Sequence, residues 1–154
     1  MEKHLTATAY LVAKIDGKIR VLLHRHKKIN IWLGVGGHVE RDENPIETVR
    51  REVFEEAGTE LDFLPPLRSP LIKEYVTQLE ISQFIFEFKI SARPKEPAHR
   101  HIDLVFIGTV KHPEKVKMTE EFHWFSASEL KKLALQEEVT SITQKALTLG
   151  KKYL

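Results

Sequence analysis

The chain has 154 residues, 42% hydrophobic and 30% charged, an ordinary composition for one globular domain with a sizeable core. A formal net charge of only +2 argues against a dedicated nucleic-acid-binding protein, whose basic excess is larger. No apolar run has the length of a membrane span, and the N-terminal segment has no apolar core of the secretory type. With no cysteine present, we expect a cytoplasmic protein that forms a single domain over residues 1–154.

The first predicted elements are two strands. TATAYLVAK and KIRVLLHRH have the composition of strands, and the Asp16-Gly17 dipeptide between them favours a tight hairpin. The basic stretch HRHKK at 24–28 ends the second strand. We interpret it as a strand end that runs into a solvated turn, with phosphate attraction through Arg25 and Lys27 as the alternative.

A glycine-rich segment, IWLGVGGHVE, leads into the clearest helix of the sequence. Glycines packed this closely favour unusual backbone angles or a close approach to another group; they are Gly34, Gly36 and Gly37. Asn44 is a good N-cap, Pro45 suits the first helical position and Glu47 completes a capping box. Since Gly58 is a natural stop, we predict a helix from Pro45 to Ala57.

The second half of the chain predicts further strands and then helices. QFIFEFKI alternates as a half-buried strand does, and HIDLVFIGTV is apolar on both faces, as a central strand is. The segment SARPKEPAHR between them is predicted as a polar loop, and FHWF as a short strand. Ser126 and Glu129 form a second capping box, and a last helix is predicted from Glu137 to Leu149, ended by Gly150. This order predicts a mixed sheet with helices packed against its faces.

Three glutamates crowd one side of the predicted Pro45–Ala57 helix. Glu52, Glu55 and Glu56 lie on adjacent turns, where each like-charged pair costs roughly 0.2–0.5 kcal/mol unless it is compensated. Ion pairs with arginines or lysines would compensate, and so would a hard divalent cation that prefers carboxylate oxygens. The spacing alone leaves both open. The preceding glycines favour the metal, since a glycine there can expose a backbone carbonyl as another oxygen ligand.

The spacing of these residues resembles the Nudix box over 37–59. Gly37 is followed by five residues and Glu43, and then by seven residues and the run REVFEEAG. Every fixed position fits except the last, where Thr59 replaces a bulky aliphatic residue of similar size. The segments HRHIDLVF and EEFHWFSASEL also resemble parts of Nudix proteins, so the resemblance covers most of the chain.

The resemblance to the Nudix hydrolase family implies an α/β (α+β) fold, namely an α/β/α sandwich with a mixed β-sheet. It implies that Mg²⁺, with Mn²⁺ as a substitute, is bound by carboxylates and by one backbone carbonyl. The implied metal ligands are Gly37, Glu52, Glu55 and Glu56. The implied reaction is hydrolysis of a diphosphate linkage in a nucleoside diphosphate derivative.

The same resemblance assigns roles within the motif. It implies a catalytic group of Glu52, Glu55 and Arg51, in which Glu52 is a candidate for activating water, although family members differ on which acid is the base. Arg51 and Glu43 look like residues that hold one another and the geometry of the loop and the helix. Glu43 and Gly58 are therefore expected to be structural. Metal chemistry fits the reaction, because a divalent cation neutralises the phosphates and lowers the pKa of a bound water.

The substrate expected from the resemblance is a small nucleotide. Within that class a nucleoside triphosphate, ordinary or oxidised, is favoured over ADP-ribose, nucleotide sugars and dinucleoside polyphosphates. The rival hypothesis is a non-catalytic Nudix module that binds a nucleotide as a sensor; such modules commonly lose box glutamates, and this chain keeps them all. No membrane partner is expected, and the oligomeric state, a homodimer included, is open.

Substrate contacts outside the box are weaker predictions. His101 and Asp103 share a face at the start of the central strand and are predicted to line the substrate pocket, with Arg100 near the phosphates; a strand-end salt bridge is the alternative. Trp32 is predicted either to stack a base or to plug the edge of the sheet.

The acidic pair before FHWF is a further metal-ligand hypothesis. Either Glu120 or Glu121 is predicted to be an extra ligand or base, and an exposed acidic turn is the alternative. Trp124 and Phe125, which follow them, are interpreted as core residues.

Overall fold

A computed structural model describes all residues from Met1 to Leu154, which form ten strands and three α-helices. The strands are β1 (Lys3–Ile15), β2 (Lys18–His26), β3 (Ile31–Leu33), β4 (Val35–His38), β5 (Asp62–Phe63), β6 (Ile72–Lys73), β7 (Val76–Thr77), β8 (Phe84–Ile90), β9 (His99–Thr109) and β10 (Phe122–Ser126). The helices are α1 (Pro45–Ala57), α2 (Ala127–Lys131) and α3 (Glu137–Tyr153), with a short 3₁₀ turn at Pro113–Lys115.

The central sheet has the order β10-β2-β1-β9-β5, with β3, β4 and β8 attached at its sides. β1 and β9 run parallel, whereas β1 pairs antiparallel with β2 along its second half and with β4 along its first half. This arrangement confirms the predicted mixed sheet. The glycine-rich segment forms β3 and β4, so the glycines next to α1 belong to the sheet.

Two hydrophobic clusters cover the two faces of the sheet. One joins alternate residues of β1 to Val49 and Val53 of α1, and the other joins the intervening β1 residues to Val139 and Ile142 of α3. Because successive strand residues point to opposite faces, this division sorts the residues of the central sheet onto an α1 face or an α3 face. β6 and β7 pair with each other in a separate two-stranded sheet. The result is the expected sandwich of helix, sheet and helix. None of the helices is long and apolar enough to span a membrane.

Local capping accounts for the bounds of α1. The Asn44 side chain accepts a hydrogen bond from the Glu47 backbone at 3.0 Å, and the Glu47 side chain accepts one from the Asn44 backbone at 2.8 Å. Gly58 ends the helix in the left-handed region at φ 65°. The predicted helix and both of its caps are confirmed, as is the capping box of Ser126 and Glu129.

Two predicted boundaries were wrong. The central strand begins at His99, because its first residues already pair with β1 and β8. α3 continues through Gly150 to Tyr153. A β-carbon at Gly150 would lie 2.6 Å from a methyl group of Ile19 and 2.8 Å from one of Val12. Gly150 therefore lets the helix approach the sheet closely and does not end it.

Candidate active site

β4 brings the glycine-rich segment against the acidic side of α1. Gly37 pairs with Ala7 of β1, and both lie on the α1 face of the sheet. A β-carbon at Gly37 would collide with the carboxylate of Glu52. Only glycine therefore leaves room for this carboxylate beside the strand, and the Glu52 side chain is only 14% exposed in this position.

Arg51 connects the loop before α1 to the helix itself. It donates to both carboxylate oxygens of Glu43, at 2.5 and 3.1 Å, and to the backbone carbonyl of His38 at 3.4 Å. Thr48 donates to the same glutamate at 2.9 Å. The hydrogen bonds from Arg51 and Thr48 lower the pKa of Glu43 to about 2. The forked guanidinium thus fixes the loop and the helix in one geometry, as a bidentate pair does.

The three α1 carboxylates are short of positive charge. Arg51 donates to Glu52 at 3.0 Å and to the exposed Glu55 at 3.4 Å, and it makes no hydrogen bond to Glu56. Burial, followed by the charges of Glu52 and Glu55 and a hydrogen bond with Glu52, raises the pKa of Glu56 to about 7. One guanidinium already occupied by Glu43 does not balance this cluster, so a further cation would stabilise it.

The donor set fits a hard divalent cation. Glu52, Glu55 and Glu56 supply carboxylate oxygens from one side of α1, and the backbone of Gly37 lies against Glu52. Mg²⁺ prefers oxygen ligands of this kind and retains several waters. The partly exposed position of the cluster leaves space for such waters, since the Glu55 side chain is 57% exposed.

A second polar site lies on the opposite face of the sheet. Asp103 is buried and accepts hydrogen bonds from Thr6 at 2.8 Å and from Thr8 at 3.0 and 3.1 Å. Burial raises the pKa of Asp103 in spite of these hydrogen bonds. Phe86 of β8 is its cross-strand neighbour, and Phe84 stacks on Phe86 with ring centroids 5.5 Å apart. The arrangement offers a polar anchor beside a row of aromatic faces.

The four residues predicted to contact substrate do not form one group. His101 lies on the α3 face with Asp103, among other histidines. Arg100 points to the α1 face by strand alternation and forms a salt bridge with Glu87 at 2.7 Å, the alternative weighed for it. Trp32 is half-buried and packs edge-on against Phe125, with ring centroids 4.9 Å apart.

The electrostatics of His101 reflect three neighbouring imidazoles. Burial, and then repulsion from His38, His99 and His4, lowers the pKa of His101 to about 4. His101 is therefore neutral near pH 7 and is available as a donor or acceptor of hydrogen bonds or as a metal ligand.

Glu120 and Glu121, the acidic pair before β10, differ in their contacts. Glu121 forms salt bridges with Lys27 at 2.7 Å and His24 at 3.7 Å, and the hydrogen bond with Lys27 lowers the pKa of Glu121. Glu120 is exposed. The basic stretch at the end of β2 therefore balances a carboxylate from the loop before β10.

Sequence reasoning missed the residues that β1 contributes to the α3 face. His4, Thr6 and Thr8 recur with a period of two, and His99, His101 and Asp103 do the same in β9. In the parallel pairing His4 aligns with His101 and Thr6 with Asp103. Two polar series with strand periodicity were the available signal, and only the register shows that they meet.

The NUDIX domain family model matches residues 3–145, and the chain belongs to this family. The family match and the hydrolase neighbours make it a pyrophosphohydrolase that acts on acid anhydrides in phosphorus-containing compounds. Members generally use divalent metals.

Solved structures support the assignment. A NUDIX-family hydrolase from Clostridium perfringens is similar with a TM-score of 0.74 and 26% identity, covering 97% of this chain and 99% of that chain. Two more distant neighbours show the same fold. The C. elegans Ap4A hydrolase has 21% identity and a TM-score of 0.59, covering 94% of this chain and 96% of its own. The E. coli dihydroneopterin triphosphate pyrophosphohydrolase has 18% identity and a TM-score of 0.61, and the match covers 96% of this chain and 99% of that chain.

Proposed function

We propose that this protein is a Mg²⁺-dependent pyrophosphohydrolase of small nucleotides. It hydrolyses a diphosphate linkage in a nucleoside diphosphate derivative, and the substrate class we favour is a nucleoside triphosphate, ordinary or oxidised. The observation that carries the proposal is the convergence of three undercompensated carboxylates beside Gly37, where the pKa of Glu56 is raised to about 7. Such a site gains most from a cation that also binds phosphate.

The metal would be held by Glu52, Glu55, Glu56 and the carbonyl oxygen of Gly37, with Mn²⁺ as a substitute. A cation held there would neutralise phosphate charge and lower the pKa of a bound water. Glu52 is our candidate for accepting the proton from that water, because it lies against Gly37 and its side chain is 14% exposed, against 57% for Glu55. Its proton acceptance needs a fixed position, which the glycine at 37 permits.

Arg51 is proposed to hold the carboxylates in fixed positions relative to one another. It holds Glu43 through two hydrogen bonds and Glu52 through a third, so movement of the loop would move a metal ligand. Placement within fractions of an ångström matters, since a shift of about 1 Å in a catalytic group can cost about 100-fold in rate. Glu43 and Gly58 are then structural: Glu43 holds Arg51, and Gly58 ends α1.

The α3 face is proposed to hold the nucleoside. The aromatic row of β8 offers surfaces on which a base can stack. Asp103 offers a buried carboxylate that can distinguish bases by the donors and acceptors on their edges. His101 adjoins this anchor on β9. Arg100 and Trp32 remain proposed contacts, for which a substrate would have to displace the present salt bridge or the packing on Phe125.

A product-release screen tests the proposal. Purified protein would be offered nucleoside triphosphates, 8-oxo-dGTP, ADP-ribose, nucleotide sugars and diadenosine polyphosphates, with Mg²⁺ supplied or chelated. We expect metal-dependent hydrolysis of a triphosphate and its loss in Glu55→Gln, with Glu60→Gln as a matched exposed control. Tight nucleotide binding without turnover in any compound would instead favour the non-catalytic sensor. We propose a cytoplasmic location, with which the absence of cysteine agrees.

A further inference from the structure

Half of the chain's 8 histidines meet where β1, β4 and β9 adjoin on the α3 face. They are His4, His38, His99 and His101. One ring nitrogen from each of His4, His99 and His101 lies within 4.8 Å of the others. The His38 ring lies 4.9 Å from that of His101 and 5.4 Å from that of His4. We call these four residues the imidazole cluster.

His99 directs its Nε2 atom into the cluster. Its Nδ1 lies 3.0 Å from the Pro97 carbonyl oxygen, which can only accept, so Nδ1 carries the hydrogen. In the neutral ring Nε2 then has a lone pair, and Nε2 lies 3.0 Å from His101 Nε2 and 3.5 Å from a Glu96 carboxylate oxygen. His99 is only 2% exposed. A lone pair facing a carboxylate in a buried position favours a cation between them.

His4 has a similar arrangement, with the roles of its two ring nitrogens exchanged. Its Nε2 faces a Glu2 carboxylate oxygen at 3.5 Å, while its Nδ1 is buried and has no hydrogen-bond partner. A hydrogen bond from the outer nitrogen to a carboxylate or carbonyl is the usual way in which a protein orients a metal-binding histidine. His4 and His99 each have such an outer contact, through Glu2 and Pro97.

We propose that the imidazole cluster is a binding site for Zn²⁺, held by one ring nitrogen from each of His4, His99 and His101. Zinc accepts imidazole ligands in tetrahedral geometry, in which nitrogens at about 2.0–2.1 Å from the metal lie roughly 3.3 Å apart. The 3.0 Å separation of the His99 and His101 nitrogens is close to that value. The carboxylate of Glu96 adds negative charge beside the cation, and a water completes the coordination.

This site is separate from the carboxylates of α1. It shares His101 with the proposed nucleoside pocket, but zinc binding itself does not depend on the proposed function. Gly37 faces α1, whereas His38, the next residue along β4, belongs to the imidazole cluster on the α3 face. The two sites also differ in donor type. Carboxylate and carbonyl oxygens suit Mg²⁺, while three neutral imidazoles suit zinc and discriminate against magnesium.

Zinc titration against a chromogenic chelator tests the proposal. Chelator-stripped wild-type protein, with 1 mM Mg²⁺ present to occupy the carboxylates, is expected to bind one equivalent of Zn²⁺. His99→Gln and His101→Gln are each expected to weaken Zn²⁺ binding by more than about 100-fold, since even loss of an outer-shell partner costs about 10–100-fold. The matched controls are His112→Gln, an exposed histidine outside the cluster, and Glu55→Gln, and both should retain wild-type affinity.

Two measurements keep the result interpretable if a variant folds poorly. Circular dichroism reports the fold of each zinc-free variant. X-ray absorption at the zinc edge identifies the coordinating atoms in the wild-type protein, so it needs no substitution. Imidazole nitrogens around the zinc are expected. An all-oxygen shell, no binding by the wild-type protein, or loss of zinc in Glu55→Gln with retention in His99→Gln would overturn the proposal.

Discussion

The α1 carboxylates and the imidazole cluster lie on opposite faces of one sheet, and a single peptide bond in β4 separates the residues that adjoin them. On the α1 face Gly37 makes room for Glu52; on the α3 face His38 contacts His4 and His101. The first region is rich in carboxylates and short of cations, whereas the second holds four imidazole rings and few carboxylates. Strand alternation is the cause, because adjacent residues of β4 cannot face the same side.

The comparison teaches that adjacent residues of one strand can belong to two sites of different donor chemistry. The α1 face offers hard oxygen donors on a partly exposed helix, where an ion can keep its waters. The α3 face offers nitrogen donors, two of which have outer contacts: His99 with a backbone carbonyl and His4 with a carboxylate. Substitutions that affect one region and leave the other unchanged would establish this independence.

The largest expected effect is that of Glu52→Gln. Removing a metal ligand that is also the candidate base should lower kcat by roughly 10²–10⁴-fold, the range that a general base contributes. Steady-state hydrolysis at saturating Mg²⁺ would measure it. The zinc affinity of the imidazole cluster should not change. A kcat within threefold of wild type would remove Glu52 from the mechanism.

Gly37→Ala should lower kcat by about 100-fold while the protein remains folded, because a misplacement of about 1 Å has that cost. The new methyl group would meet the flexible end of Glu52. Gly36→Ala provides the contrast, since its methyl group would meet the backbone of Ala7 and Thr8 and should impair folding itself. Activity and thermal denaturation, measured together, separate these outcomes. Equal loss of stability in both variants would contradict the distinction.

A third prediction concerns pH and Glu56, whose pKa is raised from 4.5 to about 7. The folded metal-free protein holds this proton more tightly than the unfolded chain, so its stability should fall as pH rises from about 4.5 to 7. Below pH 7 proton and Mg²⁺ compete, and the apparent Mg²⁺ affinity should fall up to tenfold per pH unit, as for one displaced proton.

Magnesium titrations of activity at several pH values would measure this competition, and denaturant unfolding in chelator would measure the stability. Glu56→Gln should abolish both pH dependences. Persistence of either dependence in that variant would assign the titration to another group. The imidazole cluster should not respond to this substitution, since Glu56 lies on the other face of the sheet.

The smallest expected effect is that of Gly150→Ala. Overpacking against Val12 and Ile19 costs about 1–3 kcal/mol, and the gain in helix propensity returns about 1 kcal/mol, so a net loss of about 1 kcal/mol is expected. Urea denaturation would measure it. Both proposed metal sites should be unaffected, because α3 contributes no ligand to either. Any stabilisation would show that α3 can move away from the sheet.

Features that depend on neighbouring residues were determined by the sequence itself. Asn44, Glu47 and Gly58 specify both ends of α1 through hydrogen bonds and a left-handed turn within a few positions. The same helix periodicity placed the three glutamates together. Alternation identified β8, and a segment apolar on both faces identified β9. The resemblance to the Nudix box rested on the same short-range spacings, and the family model agrees with it.

Features that depend on register were decided only by the tertiary structure. Thr6 and Asp103 are 97 residues apart in sequence and meet because β1 and β9 pair in parallel. The same pairing assembles the imidazole cluster and places Arg100 on the other face. Gly150 has the sequence position of a helix stop, yet the proximity of Val12 and Ile19 gives it a packing role. Capping and periodicity act within a few residues, whereas strand register depends on the whole core and on the two helices that cover it.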